Sequence, residues 1–103
     1  MGQAQPLRLR YTLSALADLD QILDYIVARS PQGASRIQAR IKAITDLLLQ
    51  YPLIGALTQD PSIRRMTTSP YPYLIFYEVA GNELIVHAVR HCARDPSDMP
   101  GRV

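Results

Sequence analysis

The chain has 103 residues, the length of one domain with one core, and its 48% hydrophobic content excludes disorder throughout. A net charge of +2 is too small by itself to demand nucleic acid as a partner. The single cysteine, Cys92, excludes an internal disulfide or a cysteine metal centre, and no apolar run approaches the ~20 residues of a membrane-spanning helix.

Residues 1–30 lack an apolar segment behind a positive start, so a cytoplasmic protein without a leader is expected. Residues 1–5 are small and polar and are expected to be flexible. Pro6 to Thr12 alternates, with Leu7, Leu9 and Tyr11 on one side and Arg8 and Arg10 on the other. Period two predicts a short, half-exposed strand. Ser14 is a suitable N-cap for the next segment. Leu16, Leu19, Leu23 and Ile26 recur at spacings of three and four, with Ile22 and Val27 widening the stripe. This predicts an amphipathic helix from about Ala15 to Arg29.

Ser30-Pro31 breaks the pattern and restarts it, since proline fits the first turn of a helix but not its interior. Ala34, Ile37, Ile41, Ile44 and Leu48 predict a second helix from Pro31 to Gln50, which Tyr51-Pro52 stops. So short a connection implies a helical hairpin. Leu53 to Pro61 reads as a loop. Strands follow at about Ile63–Thr68, Tyr73–Ala80 and Glu83–His91. The prolines of Ser69-Pro70-Tyr71-Pro72 interrupt the first two. Ala80-Gly81-Asn82 closes the last two into a hairpin. Residues 96–103 contain two prolines and a glycine and read as a flexible tail. The expected architecture is α+β, in the order β-α-α-β-β-β. A helical hairpin covers one face of a mostly antiparallel four-stranded sheet, and one domain spans residues 1–103.

The usual catalytic signatures are absent: no Gly-rich phosphate loop, no HExxH, no nucleophile elbow. His87 and His91 lie four residues apart on a strand, about 13 Å, too far to share a metal. No metal site or cofactor is expected. Arg90, His91 and Arg94 form a cationic group at the end of the last strand, suited to phosphate or to an acidic protein surface. A solvated strand end is the competing reading. Arg64 and Arg65 are adjacent, so only one of them shares a face with that group. Tyr71, Tyr73 and Tyr77 suit packing, stacking or hydroxyl donation.

Several stretches together resemble the RelE/ParE superfamily of type II toxins. They are the element order, Pro52-x-x-Gly55, Ile63-Arg64-Arg65, the central strand Pro72 to Val79, and the terminal Val89-Arg90-His91-Cys92-Ala93-Arg94-Asp95. The resemblance spans about residues 7–96. It implies a bacterial toxin whose targets divide by branch. ParE-like members inhibit DNA gyrase, stabilise plasmids and are not nucleases. RelE-like members cut mRNA on the ribosome. His91-x-x-Arg94-Asp95 is similar to the ParE-like ending, and the central strand carries no arginine where nuclease members often do. The implied assignment is therefore a ParE-like gyrase inhibitor that contacts its target through Arg64, Arg65, Tyr77, Arg90, His91 and Arg94. The alternative is a ribosome-dependent endonuclease using His91 with Arg64, Arg65 and Arg90. The resemblance also implies a cognate antitoxin whose C-terminal segment wraps the toxin, with Ile22, Val27, Leu47 and Leu49 as its apolar groove.

Overall fold

Two helical periodicities and one block of strands produce two layers in the computed structural model, which describes residues 6–93, 99 and 100. The elements are β1 (Arg8–Tyr11), α1 (Leu13–Val27), α2 (Pro31–Gln50), β2 (Ala56–Leu57), β3 (Arg64–Thr67), β4 (Tyr73–Ala80) and β5 (Glu83–His91). The fold is α+β, as expected. The sheet has five strands in the order β1-β5-β4-β3-β2, one more than the expected four. The extra strand, β2, pairs Ala56 with Arg65 and Leu57 with Arg64, inside the stretch that reads as a loop. Two residues leave no periodic signature in a sequence. The sheet is antiparallel from β2 to β5, whereas β1 joins β5 in parallel.

The two helix starts differ in how clearly the sequence marks them. Ser30 caps α2 as expected, its hydroxyl accepting from Gly33 N–H at 2.9 Å with Pro31 in the first turn. For α1 the cap is Thr12, not Ser14. The Thr12 hydroxyl accepts from Ala15 N–H at 3.0 Å and donates to the His87 carbonyl at 3.3 Å. The better-placed residue therefore binds the sheet and the helix at once. Replacing Ser30 by alanine should cost about 1 kcal/mol, the usual value of such a cap, read as a lower midpoint in urea unfolding.

The inward stripe of α1 is rotated from the one the apolar spacing suggests. Ala15, Leu19, Ile22 and Ile26 face the core, while Leu16 is largely exposed. From α2, Ile37, Ile41, Ile44 and Leu48 meet Tyr73, Ile75 and Tyr77 of β4 and Leu84, Val86 and Val89 of β5. A bulge makes the last contact possible. Phe76 pairs with Ala88 but Tyr77 with Val86, so His87 is the extra residue. Beyond it the side-chain parity of β5 reverses, and Val89 joins Leu84 and Val86 on the helix side.

The opposite face is not bare. Ile63, Phe76, Ala88 and Met99 form a second cluster with Leu74 against it. The flexible segments expected at 1–5 and 96–103 lie outside the described residues apart from Met99 and Pro100, and Met99 is only 5% exposed.

Candidate functional site

Among the described residues, the cationic groups singled out in the sequence do not converge. Arg64 pairs across the sheet with Tyr77 and Arg65 with Phe76, so the two arginines point to opposite faces. His91 pairs with Tyr73 and Arg90 with Leu74, again opposite one another. Arg64 and His91 share the helix-side face, but Tyr77 and Tyr73 set them four residues apart along β4, about 13 Å at the usual rise per residue. Arg94 and Asp95 lie outside the described residues.

Most of these groups have internal partners. Arg90 forms an ion pair with Asp18, and both side chains are largely buried, 16% and 14% exposed. The same Asp18 Oδ2 accepts the Val89 N–H at 3.0 Å. The reason lies in the sheet edge. β1 covers β5 only from Glu83 to Val86, and the rest of that edge needs partners for its backbone groups. Thr12 and Asp18 supply them. Arg64 donates through Nη1 to the carbonyls of Leu53 (3.0 Å) and Gly55 (2.9 Å). Tyr77, expected on the target-facing surface, is fully buried. Its hydroxyl donates to the Pro52 carbonyl at 2.7 Å and accepts from Gly55 N–H at 2.9 Å. Burial pushes the Tyr77 hydroxyl above its ordinary pKa, while the Gly55 bond and the Arg64 charge pull the other way.

Arg65 has no side-chain partner among the described residues, and His91 has only one. His91 is exposed, with its ring edge-on to Tyr73 at 5.4 Å between centroids. Its Nδ1 accepts from Ala93 N–H at 3.0 Å, which places any single ring proton on Nε2. Arg65 is half-buried on the other face. His87 meets Glu78 at 2.8 Å, and Cys92 is free and exposed. Among the described residues no group of three metal-ligating side chains occurs. A general base beside clustered arginines, the arrangement phosphodiester cleavage needs, is not assembled among the described residues.

Sequence reasoning missed what the buried arginine and tyrosine hold. Their bonds pin the backbone between Pro52 and Gly55, and around it Tyr51, Leu53, Ile54 and Leu57 stand 48–65% exposed. A loop fixed by its backbone and apolar at its tips is preorganised for contact with another protein. The signal for it was present in Pro52-x-x-Gly55, whose glycine packs against the Tyr77 ring.

A second surface lies on the other side of the molecule. Leu9 and Tyr11 of β1, Leu19 and Leu23 of α1, and Ala39 and Ile41 of α2 line an open groove of about 630 Å³. Of the residues the sequence suggested for a groove, Ile22 and Leu49 instead pack on the core. Val27 and Leu47 are exposed but do not line it.

The profile described as "ParE toxin of type II toxin-antitoxin system, parDE" matches residues 9–96. The chain belongs to the ParE toxin family. Toxin RelE2 of Caulobacter vibrioides is 40% identical over 84 residues, covering 82% of this chain and 93% of that one. A solved structure described as the chromosomal ParDE TA system from P. aeruginosa superposes with a TM-score of 0.72 at 26% identity, covering 85% of this toxin and 98% of its counterpart. The toxin therefore falls within the RelE/ParE superfamily that its strand motifs resemble. The names of its relatives straddle the two branches, one RelE and one ParE.

Proposed function

We propose that this toxin acts by gripping a protein target, DNA gyrase, and not by cutting RNA. The observation that carries the reading is the fate of Arg64 and Arg90. Arg90 is neutralised by Asp18, and Arg64 is fixed through Nη1 by two loop carbonyls on the opposite face of the sheet, so the two are not brought together on one phosphorane. What the arginine–tyrosine clamp presents instead is the apolar tips of Tyr51, Leu53, Ile54 and Leu57. Arg65, paired with Ala56 and pointing to the opposite face from Arg64, supplies a cation nearby. An exposed apolar patch of this kind is the ordinary centre of a protein–protein contact. We further propose that the toxin works in the cytoplasm. Among the described residues no helix is long and apolar enough to cross a membrane.

We assign neutralisation to a cognate antitoxin. The solved neighbour is described as a ParDE toxin–antitoxin system, and the groove between β1, α1 and α2 offers an apolar seat beside the outer edge of β1, which no described strand pairs. An antitoxin segment can pack its apolar side chains there or add a strand to that edge.

The endonuclease reading is favoured by two observations: His91 Nε2 has no partner among the described residues, and one relative carries the name RelE2. The readings separate on purified toxin. Supercoiling by gyrase should be blocked while mRNA on translating ribosomes stays intact. His91→Ala should change the block by no more than a few-fold, since His91 lies away from the apolar loop. Transcript cleavage with gyrase unaffected, abolished by His91→Ala, would replace the gyrase assignment with the endonuclease one.

A further inference from the structure

Arg36 and Arg40 lie one turn apart on α2, where the like charges of an i,i+4 pair are mildly unfavourable to the helix itself. No carboxylate on α2 offsets them. Its one acidic residue, Asp46, is paired with Lys42 at 2.9 Å. The two arginines, with Ala39 and Ala43, form one wall of an open cleft of about 540 Å³ whose other wall is Ser69, Pro70 and Tyr71 of the β3–β4 connection. Arg40 is oriented by its Nε, which donates to the Ser69 carbonyl at 2.9 Å. That bond is to a neutral group, so no described residue compensates the charge or engages the Nη groups. Arg36 is exposed and its side chain bonds to no described residue. The cleft therefore holds two guanidinium forks above a floor of small apolar side chains.

We propose that this cleft is a carboxylate-binding site for an extended acidic stretch of the antitoxin. The occupant's identity rests on the toxin–antitoxin reading; the carboxylate chemistry does not. Guanidinium forks match carboxylates in a bidentate manner, and the floor of Ala39, Ala43 and Pro70 accepts intervening apolar side chains. Continuity supports a peptide as the ligand. Ala39 lines both this cleft and the apolar groove, so a chain leaving the groove crosses α2 at its small side chain and arrives between the arginines. A nucleic acid fits less well: two free cations make a short track for a phosphate backbone, and Asp46 on the groove side repels its continuation.

Two measurements on the full-length toxin test this. The first is fluorescence anisotropy with a labelled peptide of alternating Glu and Leu, its Gln-Leu counterpart and an oligothymidylate. The second is the affinity of the cognate antitoxin. Arg36→Gln should weaken both the Glu-Leu peptide and the antitoxin by about tenfold, the worth of one charged hydrogen-bonded contact. Arg36→Lys should recover part of the loss. The difference should shrink as salt rises, since the contact is at the surface. Thermal melting of Arg36→Gln should match the parent, because that side chain holds no other described group. Equal binding of the Glu-Leu and Gln-Leu peptides overturns the carboxylate site, and so does preferential loss of oligothymidylate binding. Antitoxin affinity unchanged by the substitution overturns the occupant and leaves the antitoxin reading standing. Failure of the parent toxin to bind the antitoxin at all overturns that reading, and the occupant with it, whatever the peptide does.

Discussion

Asp18→Ala should destabilise the fold by about 3 kcal/mol, the lower end of the roughly 3–5 kcal/mol seen when a buried ion pair loses one partner. Two costs combine. The Arg90 guanidinium is left charged in a largely buried place, where its Nε already lacks a partner among the described residues. The Val89 N–H also loses its acceptor, on the stretch of β5 edge that β1 does not reach. In a domain of this size the loss should lower the melting temperature by more than about 10 °C. Asp18→Asn keeps an acceptor for Val89 while removing the charge, and should fall between parent and alanine variant. The decisive comparison is Asp18→Leu with Arg90→Met together. Removing both charges should restore most of the stability lost by Asp18→Leu alone, since the penalty comes from the orphaned cation and not from a lack of attraction. If the single Asp18→Ala variant melts within a degree or two of the parent, the pair is a surface contact and Arg90 is free for a target after all.

That pair also marks where reading a sequence stops. The helices, the β4–β5 hairpin and its turn at Gly81 (φ +61°) were legible because each is encoded locally, by period, cap or turn residue. Asp18 looked like one more polar residue on the wet face of α1. Its role depends on β1 ending at Tyr11 and leaving β5 half-covered, which is a fact of topology. The bulge at His87 was hidden for another reason. Leu84-Ile85-Val86 and Ala88-Val89 form a nearly continuous apolar run, and such a run carries no parity from which a reversal can be read. The rotation of the α1 stripe has the same origin. Leu16, Leu19, Ile22, Leu23 and Ile26 are apolar over too wide an arc to fix which side faces inward.

The candidate site was legible as composition but not as arrangement. Arginine-rich strand ends suggested one basic rim. Strand alternation then sent Arg64 and Arg65 apart, and Arg90 and His91 apart, to opposite faces. A cation in a sequence has no visible partner, so residues that serve the fold were indistinguishable from residues free to bind. The converse holds for Arg36 and Arg40. On a helix they read as ordinary solvated positions, and only the β3–β4 connection packed beside them makes a cleft.

Gly55→Ala should be costly both to the fold and to the proposed target contact. A Cβ there would lie 2.7 Å from the Tyr77 ring carbon Cε1 and 2.9 Å from the Arg65 carbonyl, with the Tyr77 hydroxyl closer still. The ring is packed in the core and the carbonyl belongs to β3, so neither yields cheaply. Overpacking of this kind costs about 1–3 kcal/mol. Displacing the Tyr77 hydroxyl also removes its bonds to Gly55 and Pro52, each worth about 1 kcal/mol. A total of about 3–5 kcal/mol follows, read by urea unfolding. Tyr77→Phe isolates the second part and should cost about 2 kcal/mol by leaving the buried Gly55 N–H unpaired. Because both substitutions break the same clamp, the double variant should be less destabilised than the sum of the singles. The functional consequence differs from the stability loss. The clamp holds Tyr51, Leu53, Ile54 and Leu57 in place for the proposed target contact, while the groove of β1, α1 and α2 proposed for the antitoxin lies elsewhere. Tyr77→Phe, still folded at 25 °C, should therefore lose gyrase inhibition by about tenfold or more as loop order is lost, yet bind antitoxin as the parent does. Equal losses at both partners would mean that the loop is no more specific to the target than the rest of the surface. An unchanged gyrase block would place the toxic contact outside it.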